Sequence, residues 1–373
     1  MDPRSTSNPA SKPASNPASD PDRDRSDLSE MIAGVIDDSG GSITFERFMD
    51  LALYAPGGFY AETAAGRRGD FLTSPEVGPL FGVVVARFIA AEWQRLGRPE
   101  AFSVIDVGAG PGTLARSVGA ALVISNPQCA AAVTYWLVET SAAQRQRHPD
   151  TESPVRVRST AEVPAGPIVG VVIANELLDN LAFRLVVNDG GWREASVVAR
   201  SDGTFAEVLG PMLDPRPEVL PAKAPHGARA PLQSAAGRWL DQLLSQLDRG
   251  VVLVIDYAVP RTAELAMRPY RDWLRTFRGH ERGEHYLVRP GTQDITCEIA
   301  LDQFPEPDAV RSQAQWLQRW GIDELVEEGR RFWIEHAAHP DLEAMRMRSR
   351  IAESEALLDP SGLGGFIVAE WRR

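Results

Sequence analysis

The chain has 373 residues, 43% hydrophobic and 24% charged, with a formal net charge of −12 and two cysteines. No run approaches the roughly 18 apolar residues of a membrane span, and the acidic balance argues against a clustered basic face for nucleic acid. Cys129 and Cys297 are too far apart to suggest a metal motif or a disulfide framework, so no metal is expected and a reducing, cytoplasmic home is.

In chain order, residues 1–27 carry near-repeats of Ser-Asn-Pro-Ala-Ser followed by alternating Asp and Arg, without large apolar residues after Met1. Such a stretch buries too little to offset the entropy of ordering and is expected to be a disordered tail. It lacks the basic-then-apolar pattern of a signal peptide and the arginine-rich pattern of a transit helix. Residues 28–100 are expected to form a helical extension with a lid loop. Leu28, Met31, Ile32, Val35 and Ile36 fall at helical spacing, and a second helix follows to Tyr54 with Thr44 as its cap. A glycine-punctuated loop through Gly69-Asp-Phe-Leu-Thr-Ser-Pro-Glu76 then precedes a long helix from Pro79 to Leu96.

Residues 101–258 read as an α/β core with an excursion at 200–232. The run Phe102-Ser-Val-Ile-Asp-Val107 followed by Gly108-Ala-Gly-Pro-Gly112 is a strand, a tight loop and the start of a helix. Asp106 stands at the strand end, and glycines at alternate positions let a ligand lie against the backbone. A dinucleotide fingerprint would be Gly-x-Gly-x-x-Gly with an acid about 20 positions on. The spacing here favours S-adenosyl-L-methionine (SAM) first and a dinucleotide second. Further strands are expected at 132–138, 154–157, 167–174 and 250–257, with a strand pair at 183–198 and a helix from Gln233 to Leu247. Near-continuous apolar strands imply a parallel sheet covered on both faces, with ligands beyond its carboxyl edge. Residues 259–373 are expected to be an inserted lobe, irregular to Thr296, then helices from about Ala309 and a final core strand at Gly365-Phe-Ile-Val-Ala369.

On that rim, Glu139 could hold both hydroxyls of a ribose, or be a solvated strand end. If a helix begins directly after Ala174, Glu176 and Asp179 share one face beside Asn175 and could bind and orient a guanidinium or amine; otherwise Glu176 only favours a helix N-terminus. Asp70 could take an α-amino group and Thr73 or Ser74 a carboxylate, or Thr73-Ser-Pro-Glu76 could be a capped helix entry. His280 and His285 show no metal spacing and read as solvated.

These motifs together resemble the MidA-like family of SAM-dependent methyltransferases, which includes the mitochondrial protein-arginine methyltransferase needed for respiratory complex I assembly. The resemblance is carried by Gly57-Gly-Phe-Tyr60, Gly69-Asp-Phe-Leu-Thr-Ser-Pro-Glu76, Asp106-Val-Gly-Ala-Gly-Pro-Gly112, Leu137-Val-Glu139, Asn175-Glu-Leu-Leu-Asp179, Ile255-Asp-Tyr257 and Pro290-Gly-Thr-Gln-Asp-Ile-Thr296. It implies a class I, Rossmann-like α/β fold, mostly parallel with helices on both faces, carrying an N-terminal helical extension and an inserted C-terminal lobe. It also implies SAM as cofactor, held by Gly69, Asp70, Thr73, Asp106, Gly108, Gly110 and Glu139, and an acceptor facing Glu176, Asp179 and Asn175. The family often has Glu where Asp106 stands, and aromatic residues where this chain has Leu177 and Leu178. The resulting expectation is methylation of an arginine nitrogen in a partner protein. The rivals are a small-molecule O- or N-methyltransferase and an assembly factor with a vestigial SAM pocket. A second copy of the chain is a further candidate partner.

Overall fold

The computed structural model describes residues 21–61, 73–149, 155–279 and 281–373. Its centre is a seven-stranded sheet whose strands are numbered here β1 (Phe102–Val107), β2 (Val133–Val138), β3 (Arg156–Thr160), β4 (Ile168–Asn175), β5 (Leu247–Asp256), β6 (Ala309–Ser312) and β7 (Ile367–Arg372). The order across the sheet is β3-β2-β1-β4-β5-β7-β6. Only β7 runs against its neighbours, pairing antiparallel with both β5 and β6. Strand order reverses between β1 and β4, which is where an open parallel sheet leaves a crevice beyond its carboxyl ends.

Alternate side chains of the strands go to opposite cores. Val171 and Ile173 of β4 and Val251, Leu253 and Ile255 of β5 pack with α-helices on one face. Val172, Ala174, Val252 and Val254 pack with the helix Ser234–Gln246 on the other. Burying such a side chain contributes about 1.5–3 kcal/mol, so a strand apolar on both faces is fixed in the middle of the sheet. The class I α/β expectation is borne out.

A second core joins segments distant in sequence. Leu28, Ile32 and Ile36 of the helix Pro21–Asp38 and Phe45, Phe48 and Met49 of the helix Phe45–Tyr54 pack with Phe183, Leu185, Val197, Trp273, Leu274 and Ile295. Thr44 caps the second of these helices as expected, its hydroxyl accepting from the Arg47 N–H at 3.2 Å.

Three expectations are corrected. The first helix starts at Pro21, inside the tail expected to be disordered; proline is well suited to a helix's first position, where its missing N–H costs nothing. The irregular region before Thr296 contains a three-stranded antiparallel sheet of Leu274–Arg278, Glu281–Arg282 and Asp294–Cys297, whose short strands are broken up by glycine and charge. Ala309–Ser312 is the edge strand β6 and not a helix start; the helix begins at Gln313, capped by Ser312. Among the described residues no helix is long and apolar enough to cross a membrane.

Candidate active site

The glycine loop follows β1 with Gly108, Gly110 and Gly112 at φ +74°, +54° and +77°. All three lie in the left-handed region that side chains with a Cβ resist, so the alternate spacing follows from the backbone path. The Gly108 and Ala109 N–H groups donate to Val138 O at 2.9 and 3.1 Å, tying the loop to the end of β2. The Gly110 N–H donates to Glu139 Oε2 at 2.9 Å, while Glu139 Oε1 accepts from the Ser141 N–H at 2.9 Å. A Cβ on Gly108 would sit 3.0 Å from the Leu177 side chain, and one on Gly112 would sit 3.0 Å from Pro149. The loop is thus pressed between the site and the chain beneath it.

His148 braces this loop and was not singled out by the sequence. Its Nε2 lies 2.8 Å from Gly110 O and its Nδ1 2.8 Å from Ser159 Oγ. A carbonyl only accepts, so Nε2 carries the proton and Nδ1 accepts from the serine. Burial lowers the histidine's pKa, in keeping with a neutral ring.

Asp106 is buried, with the Tyr135 hydroxyl donating to its Oδ2 at 3.4 Å. Burial pushes its carboxyl up to about 7, opposed by the Tyr135 bond and reinforced by the Glu139 charge.

On the other side of the crevice β4 ends at Asn175, and no α-helix follows. Glu176 takes φ +51°, its N–H donating to Ile255 O at 2.8 Å, and Leu178–Asn180 form a single 3₁₀ turn. The expected helical face for Glu176 and Asp179 is therefore corrected, since a residue in the left-handed region is not itself a turn of right-handed helix. The two carboxylates nevertheless meet at one hollow. Asn175 Nδ2 donates to Glu176 Oε1 at 3.1 Å, and Asn175 Oδ1 is buried without a hydrogen-bond partner among the described residues. Glu176 is half-buried, and its surroundings push its carboxyl up to about 8, first by burial and then by the charge of Asp256.

Two adjoining hollows lie over the rim, of about 120 and 750 Å³. The smaller is walled by Glu76, Asp106, the glycine loop, Asn175, Glu176, Asp179, Tyr257, Arg275 and Asp294. The larger is walled by Glu139, Thr140, Ser141, Glu162, Leu177 and Trp239. Gly108, Glu176, Asn180, Phe59 and Tyr60 border both. Thr73 lines the smaller hollow and is also the N-cap of a short helix Ser74–Val77. Gly69 and Asp70 lie outside the described residues, as does His280. His285 is half-buried against Tyr286, with ring centroids 4.0 Å apart, and is not the solvated loop residue expected.

Asn180 and Asp294 were not assigned roles from the sequence. Asn180 Nδ2 donates to Asp294 Oδ1 at 3.0 Å and to Ile295 O at 3.2 Å, while Asn180 O accepts from the Tyr54 hydroxyl at 3.0 Å. One residue thereby ties the turn after β4 to both the N-terminal helices and the lobe. Its position directly after Asp179 was the only signal available.

Residues 84–316 match a protein family described as "Putative S-adenosyl-L-methionine-dependent methyltransferase". The chain belongs to this family. The MidA-like resemblance is borne out by its relatives. "Protein arginine methyltransferase NDUFAF7 homolog, mitochondrial" of Drosophila melanogaster is 27% identical over 372 residues, covering 87% of this chain and 80% of the relative. The Mus musculus protein arginine methyltransferase NDUFAF7 is 26% identical, covering 70% of this chain and 65% of the relative. A crystal structure from Burkholderia thailandensis bound to S-adenosyl-homocysteine is 26% identical with a TM-score of 0.78, covering 97% of this chain and 95% of that one. The expectation of a cytoplasmic home is corrected: these curated relatives are named as mitochondrial proteins.

The site fits the family's cofactor. A glycine loop in left-handed backbone, where a Cβ on Gly108 or Gly112 would crowd a neighbour at 3.0 Å, with a carboxylate-bearing hollow beside it, suits a ligand that lies on backbone and offers paired hydroxyls.

Proposed function

We propose that the chain methylates an arginine nitrogen in a partner protein. The observation that carries this reading is the charge of the smaller hollow. Among the described residues, five carboxylates, Glu76, Asp106, Glu176, Asp179 and Asp294, line it with one guanidinium, Arg275, which is itself paired with Glu298. Burial raises the pKa of Asp106 and Glu176 in this hollow, and a bound cation favours their charged forms. The names of the fly and mouse relatives support the same acceptor.

In this reading the Gly108–Gly112 backbone, Asp106 and Thr73 receive the amino-acid end of SAM, with Gly69 and Asp70 proposed beside them, and Glu139 receives the ribose. When bound, SAM supplies an activated methyl group on a sulfonium. Glu176 and Asp179 hold the acceptor guanidinium by charge-assisted hydrogen bonds, and Asn175 Oδ1 accepts a further N–H. Their work is orientation, fixing one nitrogen for in-line attack. The proton lost by the nitrogen passes to Glu176, whose raised pKa suits it to hold one near neutrality.

The test is incubation of the protein with methyl-labelled SAM and arginine-containing proteins from a cell lysate, followed by mass spectrometry of the labelled product. Label on arginine nitrogen is expected. Label found only on small molecules would overturn the protein-acceptor reading.

A further inference from the structure

The turn that carries Glu176 and Asp179 does not hold itself in place. β4 and β5 pair in parallel register up to Asn175 opposite Ile255, and the Glu176 N–H extends that ladder by one bond. Beyond it the chain reverses through the left-handed Glu176 into a 3₁₀ turn of three residues, too short to organise its own N–H groups. Those groups point at a side chain from the neighbouring strand. Asp256 Oδ2 accepts from the Leu178 N–H at 2.9 Å and the Asp179 N–H at 3.2 Å, and Oδ1 accepts from the Tyr257 N–H at 2.8 Å.

Asp256 is fully buried and lines neither hollow. It therefore does not meet cofactor or acceptor. Burial pushes its carboxyl up to about 7, and the backbone donors of Leu178, Asp179 and Tyr257 hold that rise in check without cancelling it. We propose that Asp256 is the positioning residue of the acceptor side. Its carboxylate gathers the backbone of Leu178 and Asp179 so that Glu176 and Asp179 converge on the smaller hollow. This rests on the reading of those two residues as the acceptor-binding pair.

When ionised, Asp256 also acts on Glu176 through space, its charge helping to raise that carboxyl's pKa. Glu76 from the helix Ser74–Val77 faces Glu176 with the same sign. Tyr257 stands beside it, flanked by Asp179 and by Arg275 of the lobe. Removing the Asp256 charge leaves those groups in place and lowers the pKa of Glu176.

The discriminating variant is Asp256→Asn. Both carboxylate oxygens accept from N–H groups, so either placement of the amide sets an NH2 against a backbone donor. The expected result is S-adenosyl-homocysteine affinity within about twofold of wild type, with kcat lowered about ten- to a hundredfold. The acidic limb of the residual pH–rate profile should move to lower pH, which a general loosening of the core would not produce. If Asp256→Asn does not yield a folded protein that binds S-adenosyl-homocysteine, Asp256→Ser removes the charge without an opposed NH2 and carries the same test. Wild-type kcat, an unmoved acidic limb, or loss of S-adenosyl-homocysteine binding in both variants would overturn the proposal. E176Q assayed in parallel separates the two ideas. An active E176Q defeats the acceptor-pair reading itself, whereas an inactive E176Q beside a fully active Asp256→Asn defeats only the role of Asp256.

Discussion

The two halves of the rim solve one geometric problem in opposite ways. After β1 the chain must turn through left-handed backbone, and it uses glycine each time, at 108, 110 and 112. After β4 it must turn the same way once, and it places Glu176 there at φ +51°. A residue with a Cβ in that region costs about 1–2 kcal/mol. The difference matches what each half is proposed to present to its ligand. The glycine loop offers backbone, so side chains are removed; the turn after β4 offers a carboxylate, and strain is retained to aim it.

The largest test of that contrast is E176Q. The substitution keeps size and removes the proposed proton acceptor, so kcat should fall by about 10²–10⁴-fold in a labelled-SAM assay. Wild-type activity should in turn depend on pH. Below about 8 Glu176 of the free enzyme increasingly carries a proton and cannot accept another, so kcat/KM should rise with pH across roughly 6.5 to 8.5 and then level. A flat profile there would remove Glu176 as the acceptor. On the cofactor half, Glu139→Gln replaces an oxygen that accepts a backbone N–H with an amide, and S-adenosyl-homocysteine affinity measured by calorimetry should weaken about ten- to a hundredfold.

Smaller effects sharpen the backbone argument. Gly110→Ala forces a Cβ into the left-handed region and should weaken cofactor binding about five- to thirtyfold at little change in turnover at saturation. Glu176→Asn should raise stability by about 1 kcal/mol while abolishing activity, because Asn tolerates φ +51° and leaves no buried carboxyl to ionise. Chemical denaturation reads this directly, and an unchanged or lower midpoint would show that Glu176 is not strained.

Much of this was legible in the sequence where one residue type answers to one local demand. Alternate glycines after an apolar strand announce a left-handed loop, and the apolar runs at 102–107, 168–174 and 251–255 announce buried parallel strands. The turn after β4 was not legible, because its shape is set by Asp256 from another strand, a contact spanning 77 to 78 positions. The same holds for His148 under the glycine loop and for Asn180 between the N-terminal helices and the lobe. Each acts through a partner that only the folded chain brings near. The second core, joining helices at 21–54 to strands beyond 183, was hidden for the same reason.

The division of the rim is tested most directly by measuring S-adenosyl-homocysteine binding by calorimetry on E176Q and Glu139→Gln side by side, with methyl transfer assayed on the same preparations. E176Q should bind like wild type and transfer the methyl group about 10²–10⁴-fold more slowly, while Glu139→Gln should bind weakly and recover turnover as SAM is raised. An E176Q protein that loses binding, or a Glu139→Gln protein that binds normally, would contradict the account.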